Sequence, residues 1–386
     1  MAKKIKNALV LSGGGFKGAF QIGALDYLRE TGKIDADLHF DVIAGISAGA
    51  LNGSFIAAQQ YDVLKSIWRR IEEEGSQVIY TSDFIDEQGK PQISYEILKQ
   101  QFFPNYRFTI NLWRGLSLLL FPRKRNQFFQ QAIQQIGDEV ADNLRNFQAI
   151  ASNQPLADLL RRHLNRARIP AHVTFTSGFV SLVDGQYYNP RQHDYATNED
   201  FVKGVLASTT VPVVWPPVSG VNLKAPLLPI QQLIDGGLKN SSPLGDVIKL
   251  MESDVEETTY RILIINNNSG RLDEERQDFN IAAIALRSLT EITLAEIFDN
   301  DIREFVRVNN LVRQAHEQGA VLHDERGQPL RQFSYKIIQP QHEELGEVLD
   351  AHPDVLRRRY ALGRQRAQEA FEPSDDPNWP EATTVG

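Results

Sequence analysis

The first sixty residues alternate between short apolar segments and helical patterns, and each junction is rich in glycine. Residues 8–11 and 40–44 are apolar and short, as buried strands are. After Gly18, apolar residues recur at four-residue spacing, and residues 50–60 are small and apolar. The chain therefore begins as strand, turn, helix, strand, turn, helix, a succession that predicts a mostly parallel sheet covered by helices.

Similar patterns continue along the chain and predict a three-layer α/β/α fold with a mostly parallel central sheet. Further strand patterns lie at 173–176, 233–234, 260–265 and 334–338, and long helical patterns lie at 280–316 and 354–371. We predict an α/β core over 6–91 and 166–340, a helical insertion or cap over 92–165, a helical C-terminal extension over 341–371 and a disordered tail over 372–386.

The insertion differs from the core in being rich in Phe, Leu, Gln and Arg. Residues 102–125 set aromatic and aliphatic side chains directly against the basic run Arg123, Lys124 and Arg125. This stretch fits peripheral contact with an anionic lipid surface. It also fits a buried cap helix with an exposed basic end.

Composition restricts the classes of function. The net charge of −8 gives no general electrostatic reason to expect a nucleic-acid partner. The absence of cysteine excludes thiol nucleophiles, thiolate metal sites and disulfides. The basic N-terminus lacks a convincing cleavage site, and no apolar run reaches the length of a membrane span. We expect a cytoplasmic protein.

Gly45-Ile46-Ser47-Ala48-Gly49 separates a predicted strand from a predicted helix. In a nucleophile elbow, a serine sits on a strained strand-to-helix turn, and the flanking glycines prevent collisions with neighbouring backbone. Ser47 is thus a candidate nucleophile. The pentapeptide spacing alone fits a tight turn between layers as well.

Gly13, Gly14 and Gly15 end the first strand at the mouth of a helix. Their backbone amides could hold the oxyanion of an acyl-transfer reaction. A phosphate cradle is the competing interpretation, although the spacing does not match a Walker A motif. Gly13, Gly15 and Gly18 loosely match a dinucleotide fingerprint, with an acidic residue about 20 positions on in Asp35 or Asp37.

A serine nucleophile needs a base. None of the eight histidines lies in the kind of small-residue turn that is typical of a catalytic residue. Asp235-Gly236-Gly237 offers a carboxylate at the end of a predicted strand, where open α/β sheets usually place their chemistry. A simple turn also explains this tripeptide.

Taken together and in this order, the three sites resemble the motifs of the patatin-like phospholipase family. The matching residues are Gly13-Gly14-Gly15-Phe16-Lys17-Gly18 for the glycine-rich oxyanion motif, Gly45-Ile46-Ser47-Ala48-Gly49 for the elbow and Asp235-Gly236-Gly237 for the aspartate motif. Weaker echoes are Ala207-Ser208 to Pro212, Pro217-Val218, and Asn240 with Pro243. The resemblance covers roughly residues 6–246.

The resemblance implies a Ser-Asp dyad, in which Ser47 attacks an ester carbonyl and Asp235 accepts its proton. The amides of Gly13 to Phe16 would hold the oxyanion. Lys17 matches the family's basic position, and three roles stay open for it: contact with a phosphate, a solvated side chain at the start of a helix, or a structural tie. An unperturbed aspartate, with a pKa of about 3.9, is a poor base near neutral pH. The dyad therefore requires a shielded pocket. Thr209 and Thr210 depart from the family pattern, in which small apolar residues are more usual.

The function implied is lipid acyl hydrolysis through an acyl-Ser47 intermediate, with a lipid ester as substrate and no cofactor or metal demanded by the chemistry. Two alternatives stay open at the level of sequence. One is a lipid-binding or lipid-sensing protein that turns over little. The other is nucleotide binding at the first glycine loop.

Overall fold

The structure, a computed structural model, describes residues 4–85, 149–225, 228–240, 242–252, 258–268, 284, 287–288, 292–325, 327–341, 345–372 and 379. Most of the predicted insertion, including residues 102–125, lies outside these ranges, as does most of the predicted tail. The predicted division into core, insertion, extension and tail therefore stays a prediction.

Eight strands are present in the described residues, and five of them form one parallel sheet. The strands are β1 (Lys4–Leu11), β2 (Val42–Gly45), β3 (Thr174–Ser177), β4 (Phe179–Ser181), β5 (Tyr187–Tyr188), β6 (Leu233–Asp235), β7 (Thr258–Ile265) and β8 (Ser334–Ile338). The order in the large sheet is β3–β2–β1–β7–β8, and every neighbouring pair is parallel. The predicted parallel sheet is confirmed.

The α-helices of the described ranges are eight in number. They are α1 (Gly18–Glu30), α2 (Ala48–Ala57), α3 (Tyr61–Glu74), α4 (Gln154–His163), α5 (Asn198–Ser208), α6 (Leu244–Glu252), α7 (Thr293–Glu317) and α8 (Pro353–Phe371). Their ends follow local chemistry: a capping box of Thr197 and Asp200 begins α5, and Pro353 occupies the first turn of α8. No described helix is both long enough and apolar enough to cross a membrane.

Strand β1 shows how the sheet separates two layers of helices. Leu9 and Leu11 belong to one buried cluster together with residues of α1, α2, α3 and α8. Ala8 and Val10 belong to a second buried cluster together with residues of α6 and α7. Because successive side chains of a strand point to opposite faces, both faces of the sheet are covered, and the three-layer α/β/α prediction is confirmed.

Strand β6, which ends at Asp235, lies in a different sheet from the one that the sequence predicts. The sequence predicts that β6 belongs to the open parallel sheet. In the structure it pairs antiparallel with β4, in a separate three-stranded sheet of order β5–β4–β6. A strand of three residues, all of them buried, carries no information about the direction of its partner strand. Asp235 therefore reaches the centre of the molecule from outside the main sheet.

Helix α8 packs closely along α1, and glycine makes the approach possible. A Cβ atom on Gly363 would lie 2.0 Å from the carbonyl oxygen of Phe20, and one on Gly23 would lie 1.9 Å from that of Tyr360. Neither distance is compatible with a side chain. The helix after the last strand is thus held against the first helix by direct backbone contact.

We expect Gly363→Ala to lower the free energy of unfolding by about 2 kcal/mol or more, because the two helices must move apart. Gly245→Ala is the matched control, since a Cβ atom on Gly245 in α6 would meet nothing within 4 Å. It should leave stability unchanged or raise it by up to about 1 kcal/mol. Urea denaturation of both variants measures the difference, and equal effects would contradict the close packing.

Candidate active site

Ser47 lies at the turn between β2 and α2 in a backbone conformation that side chains rarely adopt. Its φ is 54° and its ψ is −123°, and only 4% of the residue is exposed. Such a conformation costs on the order of 1–3 kcal/mol and persists only where the surroundings enforce it. The geometry is that of a nucleophile elbow, which lifts a serine out of a strand onto the start of a helix.

The two glycines of the elbow are required by close approach of backbone. A Cβ atom on Gly45 would lie 2.1 Å from the carbonyl oxygen of Gly49, and one on Gly49 would lie 2.2 Å from that of Leu11. Both distances are far inside van der Waals contact. The spacing found in the sequence therefore has a steric cause in this fold.

Asp235 ends β6 and is 3% exposed. Its Oδ1 accepts a hydrogen bond of 2.8 Å from the Gly237 N–H, whereas its Oδ2 has no hydrogen-bond partner in the described part of the chain. The Ser47 hydroxyl lies close enough to lower the Asp235 pKa, although no hydrogen bond of standard geometry joins them. Burial outweighs both influences and raises the pKa of Asp235 to about 7.

The C-terminal end of α5 touches both residues of this pair. The Ser208 hydroxyl accepts a 3.3 Å hydrogen bond from the Ser47 N–H, and the Thr210 carbonyl accepts a 2.8 Å bond from the Asp235 N–H. The hydroxyls of Thr209 and Thr210 both donate to the Leu206 carbonyl. Threonine is tolerated at these two positions because the last turn of α5 satisfies its hydroxyl.

The first glycine loop lies beside Ser47. A Cβ atom on Gly13 would be 3.2 Å from the Ser47 Cβ, and Gly14 and Gly15 have φ angles of 139° and 52°. Within the described residues, the N–H groups of these three glycines donate no hydrogen bond. The Phe16 N–H differs, because it donates a 2.9 Å bond to the carbonyl of Val348.

Buried amide side chains hold this loop, and the motif analysis did not single them out. Asn267, just after β7, donates through Nδ2 to the Gly13 carbonyl at 3.1 Å and accepts nothing at its buried Oδ1 from the described residues. Gln21 donates to the Ser12 carbonyl at 2.9 Å and accepts from Asn52 at 2.8 Å. A polar residue inside an apolar pattern was the signal that could have indicated Gln21, whereas Asn267 stands in a run of asparagines that carries no such signal.

Three further residues of the predicted motifs lie around the site. Gly18 begins α1, and a Cβ atom there would lie 2.9 Å from the Trp68 ring. Lys17 is half-buried in the short 3₁₀ turn Gly15–Lys17. Asn240, one of the weaker echoes, donates to the Asp246 carboxylate at 3.0 Å and so braces the turn after Asp235.

A small apolar cavity of about 40 Å³ adjoins Ser47. Its walls include the side chains of Trp68, Leu156, Trp215 and Leu349. A volume of this size holds a few water molecules at most. The cavity has the chemistry of an acyl pocket but not, in this conformation, the size.

The acidic residues of the dinucleotide alternative lie far from the glycine loop. Asp35 and Asp37 follow the C-terminus of α1, and the loop precedes its N-terminus. A 13-residue helix separates the two by about 20 Å. Neither residue can contact a ribose whose phosphates sit on the loop, so the geometry disfavours this interpretation.

The same exposed turn contains the one group in the described ranges that could hold a metal ion. The ligand atoms of Asp35, Asp37 and His39 lie within 4.8 Å of one another, and all three residues are exposed. This group lies beyond the far end of α1 and takes no part in the arrangement around Ser47.

The three-layer fold and the elbow define an α/β protein with a strained, buried serine beside a buried aspartate. A model of the patatin-like phospholipase family matches residues 9–248, more than half of the chain. The chain therefore belongs to the patatin-like phospholipase family. Membership supports lipid acyl hydrolysis as its class of activity and lipids as its class of substrate.

Three solved structures are similar to the chain at low sequence identity. VipD from Legionella pneumophila is 16% identical with a TM-score of 0.34, over 95% of this chain and 67% of that one. The ExoU–SpcU complex from the type III secretion system of Pseudomonas aeruginosa is 15% identical with a TM-score of 0.30, and the match covers 96% of this chain and 52% of that one. The type III effector ExoU is 12% identical with a TM-score of 0.29, and the match covers 96% of this chain and 53% of that one. The chain thus spans about half the length of each of these two chains. A separate search of curated proteins found no match.

We expect Asp235→Asn to stabilise the fold above neutral pH. The folded protein holds the Asp235 proton up to about pH 7, whereas the unfolded chain releases it near pH 4. The wild type should therefore lose stability relative to the variant as pH rises from about 4 to about 7, by up to about 4 kcal/mol, and then level off. Urea denaturation across this range measures it. The exposed variant Asp62→Asn is the control, and a pH-independent difference for Asp235→Asn would contradict the burial argument.

Proposed function

We propose that this protein is a serine lipid acyl hydrolase of the phospholipase A or lysophospholipase type, with Ser47 as nucleophile and Asp235 as general base. One observation carries the proposal: a strained, buried serine lies beside a buried carboxyl whose pKa is raised to about 7 and whose Oδ2 is unpartnered in the described residues. A base of that pKa is suited to proton transfer near neutral pH.

In the first half of the reaction, the Asp235 carboxylate takes the proton of the Ser47 hydroxyl as its oxygen attacks the ester carbonyl. The alcohol leaves with a proton returned by Asp235, and the acyl group stays on Ser47. In the second half, Asp235 takes a proton from a water molecule as that water attacks the acyl-serine, and it returns the proton to the Ser47 oxygen as the fatty acid leaves. Each half needs a base that alternates between its two protonation states, and a pKa of about 7 permits this.

The oxyanion formed in each half requires amide donors. Gly13, Gly14 and Gly15 supply N–H groups that form no hydrogen bond within the described residues, next to Ser47. Such preorganised donors are worth on the order of 10²–10³ in rate when one is removed. The Phe16 amide can join them only when its bond to Val348 is broken.

The surroundings of Ser47 favour an acyl chain over a polar substrate. Trp68, Leu156 and Trp215 line the cavity, and polar groups are nearly absent from its walls. A bound fatty acyl ester would bury its first methylene groups here, and each would contribute about 0.8 kcal/mol of binding free energy.

A fluorophosphonate probe, with the labelled peptide located by mass spectrometry, tests the nucleophile. We expect labelling at Ser47, none in Ser47→Ala, and full labelling in Ser54→Ala, which removes a buried serine hydroxyl from the helix that follows Ser47. Hydrolysis of phospholipid vesicles should fall at least about 10³-fold in Ser47→Ala. A folded protein that binds vesicles but is never labelled would instead support the lipid-binding alternative.

The pH dependence tests the base. Because only ionised Asp235 can accept the Ser47 proton, the rate of probe labelling should rise with pH and level off above about pH 7. Asp235→Asn should lose most of the labelling at every pH. Asp246→Asn is the matched control, since Asp246 is also buried but bonds to Tyr187 and Asn240, and it should retain the profile. A profile that survives in Asp235→Asn would exclude Asp235 as the base.

A further inference from the structure

Residues Leu345–Ala351, between β8 and α8, form a segment that lies over the candidate active site. Leu345, Val348, Leu349 and Ala351 are each at most 5% exposed. The segment lies outside residues 9–248, so the family match does not account for it. Its contacts fall on two elements that the proposed reaction uses, the oxyanion loop and the cavity beside Ser47.

The first contact is made by backbone. The Val348 carbonyl accepts the Phe16 N–H at 2.9 Å, and a Cβ atom on Gly15 would lie 2.5 Å from that same oxygen. A carbonyl oxygen bonded to an amide of this loop has the chemistry of an ester carbonyl entering an oxyanion hole. At the Phe16 amide the chain itself supplies such a carbonyl, whereas the amides of Gly13, Gly14 and Gly15 donate no hydrogen bond within the described residues.

The second contact is made by a side chain. Leu349 lines the cavity beside Ser47 together with Trp68 and Trp215. With this side chain in place, only about 40 Å³ remains, which is too little for an acyl chain. Leu349 therefore occupies the kind of space that the first carbons of a fatty acid need.

A buried arginine fixes the segment on both sides of these contacts. Arg359 of α8 is fully buried, and its guanidinium donates to the carbonyls of Leu345 at 2.5 Å, Glu347 at 2.7 Å and Asp350 at 2.7 Å. Hydrogen bonds from a charged donor are stronger than neutral ones. The segment is thus tied to α8, which is itself packed against α1.

We propose that Val348 and Leu349 act as an internal pseudosubstrate, with the Val348 carbonyl on the Phe16 amide and the Leu349 side chain in the acyl pocket, so that the enzyme is autoinhibited until this segment is displaced. This inference rests on the proposed function of Ser47. A substrate must then compete with the segment, and the observed rate is proportional to the fraction of molecules in which the segment is displaced.

The first test compares rates of fluorophosphonate labelling at Ser47. Leu349→Ala should label about tenfold faster than the wild type or more, because truncation of a buried leucine weakens the closed state. Arg359→Met should also label faster, since it removes the anchor without enlarging the cavity. Leu356→Ala is the matched control, because Leu356 is a leucine of α8 that is 3% exposed and does not line the cavity.

The second test does not depend on catalysis. Hydrogen exchange at the Phe16 amide, resolved by electron-transfer fragmentation, should be slow in the wild type and about tenfold faster or more in Leu349→Ala. The neighbouring Lys17 amide is the internal reference, because it bonds to the Gly14 carbonyl within the loop. Its exchange should be unchanged.

The outcomes separate this inference from the proposed function. Equal labelling of wild type and Leu349→Ala, or equal acceleration in Leu356→Ala, would overturn the pseudosubstrate. So would a Phe16 amide that exchanges freely in the wild type. If no variant is labelled at Ser47 but the Phe16 amide responds as expected, the contact exists and the hydrolase proposal fails.

Discussion

The centre of this molecule depends on backbone segments that approach one another more closely than a side chain permits. The elbow at Ser47 exists because Gly45 and Gly49 let β2, α2 and the end of β1 meet without Cβ atoms between them. Gly13 then brings the first loop against Ser47. A single methyl group at Gly45 or Gly49 would prevent this approach, whereas one at Gly13 would force a shift of a few tenths of an ångström.

A second constraint is the burial of a carboxyl group. Asp235 has one oxygen satisfied by Gly237 and the other without a partner in the described ranges, so its charged form is costly. A site designed only for stability would avoid this arrangement. The same burial raises the pKa of Asp235 to about 7, which suits the role of base that we propose for it, and we infer that stability is given up here for chemistry.

The C-terminal part of the chain is part of the same construction. α8 packs against α1, and α1 begins at the glycine loop. Arg359 on α8 holds the segment whose Val348 carbonyl accepts a hydrogen bond from the Phe16 amide. A displacement of this segment would therefore free a loop amide and enlarge the cavity beside Ser47 at once. Such a coupling needs no contact beyond those already present.

Sequence alone determined the alternation of strands and helices in the first sixty residues, the parallel sheet and the three motifs, because glycine spacing and apolar periodicity are local consequences of turn geometry and burial. Only the tertiary structure placed β6 in a separate antiparallel sheet, brought Asp235 beside Ser47, and revealed the roles of Asn267 and Gln21. It alone showed that Val348 reaches the loop from more than 300 residues away along the chain. Long-range contacts of this kind depend on how finished elements pack, and no local pattern encodes them.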